Sequence, residues 1–118
     1  MNSEDLKKRT KVFGLNTIKV IQNIQKNRIT DVICKQLLRA ATSVGANYRA
    51  ACLAKSYQDF IYKLRIAQEE ADEAAYWFEL LVESCVIKED IVRDLLDEAK
   101  QLTAIFTASA KTAKGKKH

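Results

Sequence analysis

SYQDFIYKLRIAQEEADEAAYWFELLVESC, residues 56–85, carries the most regular pattern in the chain. Tyr57, Phe60, Leu64, Ala67, Ala71, Ala74, Phe78, Leu81 and Cys85 follow one another at steps of three and four without a break, the spacing of the seam in a left-handed helix bundle. Ser56 and Asp59 stand at the spacing of a capping pair, so a helix is expected from about Ser56 to Glu83. Alanines hold the middle of the seam, where a neighbouring helix can come close, and Phe60 and Phe78 are expected to fill its wider ends.

Three further helices are read outward from this one. Phe13, Val20, Ile21 and Ile24 recur at helical spacing and predict a first helix from about Asp5 to Gln25, with Gly14 marking a close contact or small bend. Asn27 and Arg28 are expected to turn the chain, with Thr30 as N-cap of a second helix from Asp31 to about Ala51. That helix places Ile33, Leu37, Ala40, Val44, Asn47, Tyr48 and Ala51 on one stripe. Asn47 is polar where the stripe calls for an apolar residue. A fourth helix, from Lys88 or Glu89 to about Ala110, carries Val92, Leu95, Ala99, Leu102 and Phe106 at the same steps. Short connections make consecutive helices neighbours, which predicts an all-α, up-and-down antiparallel four-helix bundle over residues 1–110. Residues 111–118 hold four lysines and no acid and are expected to form a mobile basic tail.

Composition agrees with this architecture. The 118 residues are 47% hydrophobic and 30% charged, with no Pro and three Gly, a balance that supports one compact core and disfavours turn-rich β folds or a glycine-rich phosphate loop. The apolar runs fall far short of the ~20 residues that cross a bilayer. The charged first eleven residues lack a signal-peptide core, so a cytoplasmic location is expected and no membrane partner. Cys34, Cys52 and Cys85 are odd in number and widely spaced, and are expected to be small core residues rather than disulfide or zinc ligands.

Charge is distributed unevenly. Residues 1–65 hold 13 Lys and Arg against 4 Asp and Glu, residues 66–110 hold 3 against 11, and the tail adds four lysines, giving the net +5. Such a division fits complementary faces, within the bundle or between identical subunits, and equally a nucleic-acid footprint. The candidate phosphate-binding residues are Lys7, Lys8, Arg9, Lys11, Lys19, Arg49, Lys55, Lys63, Arg65, Lys111, Lys114, Lys116 and Lys117.

Tests for chemistry are negative. The acidic run Glu69, Glu70, Asp72, Glu73 suggests a di-iron bundle, but such sites need Glu-x-x-His pairs and the one histidine is His118. No nucleophile or base accompanies Glu70 and Glu73. They are expected instead to join a structural polar network with Arg39, Ser43 and Asn47. No catalytic residue, metal, cofactor or small-molecule substrate is expected. Tyr76, Trp77, Leu80 and their neighbours make helix three too apolar for one seam; Ile66, Trp77 and Leu80 are candidates for a face against another subunit, with a thick monomeric core as the competing account.

LRAATSVGANYRAA at residues 38–51, KSYQDF at 55–60, EEADE at 69–73 and LTAIF at 102–106 together resemble the bacterial four-helix bundle proteins named for 23S ribosomal RNA intervening sequences. The resemblance implies an up-and-down bundle assembled as a homopentameric ring. It also implies kinship with the accessory variability protein of diversity-generating retroelements, which binds nucleic acid and a reverse transcriptase. It carries no catalytic activity. Where the family's familiar form reads Asn-Ile-Ala-Glu-Gly, this chain reads Asn47-Tyr48-Arg49-Ala50-Ala51, so roles of that Glu and Gly do not transfer. The function expected is a non-enzymatic, homo-oligomeric accessory factor for RNA or DNA, with a reverse transcriptase as a further partner. The alternative is a protein-binding scaffold in which positive charge serves solubility.

Overall fold

Side-chain caps define where the helices begin. In the computed structural model, which describes residues 1–115, the Asn2 side chain accepts from the Asp5 amide at 2.8 Å and opens α1, Ser3–Gln22. Asn27 accepts from the amides of Ile29 and Thr30 at 2.9 and 3.0 Å and opens α2, Arg28–Cys52. Ser56 accepts from Asp59 at 3.1 Å and opens α3, Tyr57–Glu83. The last helix, α4, spans Glu89–Gly115. Each cap satisfies amides that the first turn leaves without an intrahelical partner.

The first helix begins at Ser3 and ends at Gln22, three residues short of Gln25, and two further boundaries move for local reasons. The cap of α2 is Asn27, not Thr30: Thr30 stands three residues inside, and its hydroxyl accepts from the Asn27 amide at 3.0 Å, completing a reciprocal capping box. Helix α4 runs five residues beyond Ala110, because Ala110 and Ala113 continue the buried seam from Phe106 while Lys111 and Lys114 face solvent. The first five residues of the expected mobile tail are therefore helical. Lys116, Lys117 and His118 lie outside the described residues.

α3 ends in a Schellman turn. The Val86 amide donates to Leu81 O at 3.1 Å and the Cys85 amide to Val82 O at 3.0 Å, with Cys85 at φ 65°. Cys85 is thus exposed in the turn and not the last core residue of the seam, whereas Cys34 and Cys52 are half-buried against the core.

The four helices pack in sequence around one core, and α1 meets α4 to close a rod of 51 × 21 × 21 Å. Ala67, Ala71 and Ala74 are fully buried, as are Ala40 and Ala41 of α2 and Ala99 of α4. Aromatic rings tie the diagonals: Phe13 of α1 meets Phe78 of α3 edge-on at 6.4 Å, and Tyr48 of α2 lies 5.7 Å from Phe106 of α4. Phe78 fills its end of the seam as expected, but Phe60 is only half-buried and Tyr57 is exposed.

α1 and α2 approach closely at their glycines. A Cβ on Gly45 would stand 3.3 Å from the Thr10 hydroxyl, and one on Gly14 would stand 3.7 Å from Ala41 O. The Thr10 hydroxyl is held by its bond to Lys7 O at 3.0 Å and cannot swing away freely. Gly45→Val should therefore destabilise the protein by about 1–3 kcal/mol through overpacking, read by chemical denaturation. Cys85→Gly should do the reverse, raising stability by roughly 0.5–1 kcal/mol, since glycine adopts the left-handed conformation without a Cβ penalty.

Candidate nucleic-acid interface

Antiparallel threading sorts the charged residues by height along the rod. Its first end gathers the start of α1, the end of α2, the start of α3 and the end of α4. There stand Lys7, Lys8, Arg9, Lys11, Arg49, Lys55, Lys63, Arg65, Lys111 and Lys114, ten cations, together with Glu4, Asp5, Asp59 and the Glu98 that binds Arg9. The other described residues hold 8 basic against 11 acidic side chains. A two-part charge pattern in sequence has become a rod with one end at +6 and the rest at −3.

The ten are not equivalent. Lys8, Lys11, Arg49, Lys55, Lys111 and Lys114 are exposed, while Lys63 and Arg65 are half-buried, with Arg65 donating to Gln68 at 3.4 Å. Lys7 pairs with Glu4 at 3.2 Å on the open surface, a contact worth little in water. Lys19 sits in the last turn of α1, ~18 Å of helix from Lys7, and does not join the cluster.

Arg9 is already engaged. Its Nε donates to Glu98 Oε2 at 2.6 Å and its Nη2 to Glu98 Oε1 at 2.7 Å and Gln101 at 2.8 Å. The hydrogen bond to Glu98, partly opposed by burial, raises the guanidinium above its ordinary value. A two-pronged pair of this kind clamps α1 onto α4, the thinnest of the interfaces between neighbouring helices. Arg9 is a closing strut rather than a free phosphate ligand.

Apolar groups accompany the basic end. Tyr57 is 55% exposed beside half-buried Phe60, and between them they border two hollows, one reaching Ala51 and Lys55, the other Ala108 and Thr112. Between α1 and α2 a third depression of about 270 Å³ has Gly14, Leu15, Ile18, Thr42 and Ala46 along it and Lys7, Lys11 and Arg49 at its rim. Phosphate contact by flexible lysines and stacking on an exposed ring are both available at this end.

The expected polar network forms in part. Arg39 of α2 donates from Nη1 to both Glu70 oxygens at 3.1 and 3.0 Å and from Nη2 to Glu73 of α3. Trp77 Nε1 donates to the same Glu73 carboxylate at 3.0 Å. Ser43 and Asn47 stay outside it: each donates to a carbonyl of its own helix, Arg39 O at 2.6 Å and Ser43 O at 2.9 Å. Asn47 is half-buried at the edge of the stripe, so its amide needs no core partner. Ile66, Trp77 and Leu80 are half-buried, and Trp77 packs on the core of its own chain. The large apolar side chains left open are others, Val12, Leu15 and Leu38 among them.

Among the described residues no group of three or more His, Cys, Asp and Glu is placed to hold a metal, and no helix is long and apolar enough to cross a membrane. Burial, and then Asp31, push the Cys34 thiol up; burial, and then Cys52, push the Tyr48 phenol up. Both stay protonated near neutral pH and offer no nucleophile.

The fold and the basic end define an up-and-down four-helix bundle with one polarised, cation-rich tip. Residues 4–108 match the family model of the 23S rRNA-intervening sequence protein, and the chain belongs to that family. A crystal structure from Bacteroides thetaiotaomicron VPI-5482, described as a protein with unknown function from the S23 ribosomal protein family, is similar to it. It has 31% sequence identity and a TM-score of 0.86, over 94% of this chain and 99% of that one. Comparison with curated proteins finds no match.

Arg9→Gln separates strut from ligand. It should lower stability by about 1–3 kcal/mol in thermal or denaturant unfolding, while leaving the salt dependence of any nucleic-acid binding unchanged.

Proposed function

We propose that the protein is a non-enzymatic cytoplasmic accessory factor that self-associates and binds RNA or DNA phosphate through the basic end of its bundle. A pentameric ring and a reverse transcriptase partner are the assembly and the protein contact that the family resemblance favours. The observation that carries the reading is the collection of ten cations from four separate segments toward one end, against four acids. Fold economy does not require it, since few of these lysines make a contact that holds the bundle together. Repetition in an oligomer strengthens it: once one subunit holds a phosphate chain, the next meets it at high effective concentration.

Fluorescence anisotropy with labelled structured RNA and duplex DNA, across a salt series, tests this. Lys8, Lys55, Lys111 and Lys114 changed together to Gln should lower the slope of log affinity against log salt by about 0.7–0.9 for each phosphate that is no longer neutralised. A variant ending at Gly115 controls for the lysines beyond it. An unchanged slope in the fourfold variant would remove the basic end from the account, and absence of binding by the wild type at low salt would end the reading.

A further inference from the structure

Tyr57 begins α3 at a seam position, yet its ring stands in solvent. Its neighbours Phe60 and Ile61 pack against the core, whereas Tyr57 stays clear of it and is 55% exposed. A second exposed ring, Tyr76, has different surroundings. It packs edge-on against Trp77 at 5.0 Å and stands among Asp72, Glu73 and Glu79, where a phosphate chain is repelled. Tyr57 instead lies at the end of the rod where the cations gather.

A hollow opens on each side of this ring. Toward the end of α2, Tyr57 and Phe60 share a hollow of about 460 Å³ with Ala51, Cys52, Ala54 and Lys55. Toward the end of α4, the same two rings share one of about 370 Å³ with Ala108, Ser109, Thr112 and Ala113. Both volumes fall within the ~300–1,000 Å³ of sites that hold small molecules. Short side chains on α2 and α4 leave the space, and half-buried Phe60, one turn on from Tyr57, backs both hollows.

The first hollow joins three chemical features. Tyr57 offers an aromatic face, the alanines offer an apolar wall, and exposed Lys55 supplies a positive charge two residues from the ring. A flat aromatic group tied to an anionic chain matches all three, which is the chemistry of a nucleotide within a strand. The base must be unpaired, because in a duplex its faces are covered by the neighbouring pairs. The hollow has little with which to read the edge of a base. Its serine, Ser56, is engaged as the cap of α3, accepting from the Asp59 amide at 3.1 Å. Contact through the ring face therefore tolerates any base.

We propose that the hollow between the end of α2 and Tyr57 seats one unpaired base of a single-stranded nucleic acid, stacked on the Tyr57 ring, with Lys55 on the adjoining phosphate. The inference rests on the phosphate-binding end in the proposed function and deepens it: single-stranded stretches are held by stacking as well as by charge, with little preference for sequence. It applies to one chain as to an assembly.

Fluorescence anisotropy of the full chain with labelled oligothymidylate, and with the same strand paired to oligoadenylate, tests it. Tyr57→Leu keeps an apolar side chain and removes the aromatic face. It should weaken binding of the single strand by about 5- to 150-fold and leave the duplex bound as by the wild type. The salt slope should not change, since no cation is lost. Tyr57→Phe should bind both probes as the wild type does, and Tyr76→Leu, the same change in the acidic stretch, should have no effect on either. Lys55→Gln should lower the slope for the single strand by about 0.7, the loss of one phosphate contact. Circular dichroism checks that each variant remains helical.

Single-strand binding by Tyr57→Leu as tight as that of the wild type would show an apolar contact or none, and would overturn the stacking site. Equal losses on the two probes, or an equal loss in Tyr76→Leu, would overturn it as well. In each of these cases the fourfold lysine variant still decides the basic end by itself. A wild type that binds neither probe at low salt would overturn both.

Discussion

Connections of five, four and five residues leave each helix no choice but to run back along the one before it. That constraint turns a linear charge pattern into a shape. Because the halves of the chain differ in charge, folding them side by side gives the rod a basic flank and an acidic flank. Since the starts of α1 and α3 and the ends of α2 and α4 lie toward one end, the lysines of four segments converge there as well. Both polarities follow from the same up-and-down path, and a bundle with long crossover connections would scatter them.

Packing within that path depends on small residues at two places. Ala67, Ala71 and Ala74 of α3 are fully buried, as are Ala40 and Ala41 of α2 and Ala99 of α4, and such small side chains let the axes come together, while Phe78 reaches Phe13 and Phe106 reaches Tyr48 across the bundle. At Gly14 and Gly45, α1 settles onto α2 with two buried threonines, Thr10 and Thr17, whose hydroxyls bond to carbonyls of their own helix at 3.0 and 2.8 Å. The fourth side is different in kind. α1 and α4 touch least, and there a charged clamp, Arg9 on Glu98, does what apolar burial does elsewhere.

Architecture was readable where a pattern is local and periodic. The α3 seam, the Ser56 cap and the packing role of Gly14 all rest on neighbours a few residues apart. Boundaries failed where two local signals competed. Asn27 and Thr30 are both good caps, and only the reciprocal bond between them shows which residue lies outside the helix. At the other terminus, lysine density suggested a tail and masked Ala110 and Ala113, which continue the Phe106 seam. Site residues were harder, because pairing across helices has no sequence signature. Glu98 lies 89 positions from Arg9, so the strut looked like one more free cation. Glu73 was correctly matched with Arg39, yet its second partner, Trp77, was read as part of an apolar face.

The two polarities bear on each other in the proposed assembly. In the proposed ring, copies that stand in one direction place every basic tip on the same rim, so lateral attraction between basic and acidic flanks works against repulsion among the tips. That attraction acts over a contact partly shielded from solvent, whereas the tips stand in water, where salt screens them within about a Debye length, ~8 Å at physiological ionic strength. A polyanion laid across the rim removes that repulsion and touches several subunits at once. Binding and assembly then reinforce each other by linkage: whatever phosphate gains from an assembled rim, the ring gains from bound phosphate. A single bundle presents its tip with no such reciprocity, so in this proposal the oligomer, and not the chain, is the unit on which nucleic-acid affinity depends.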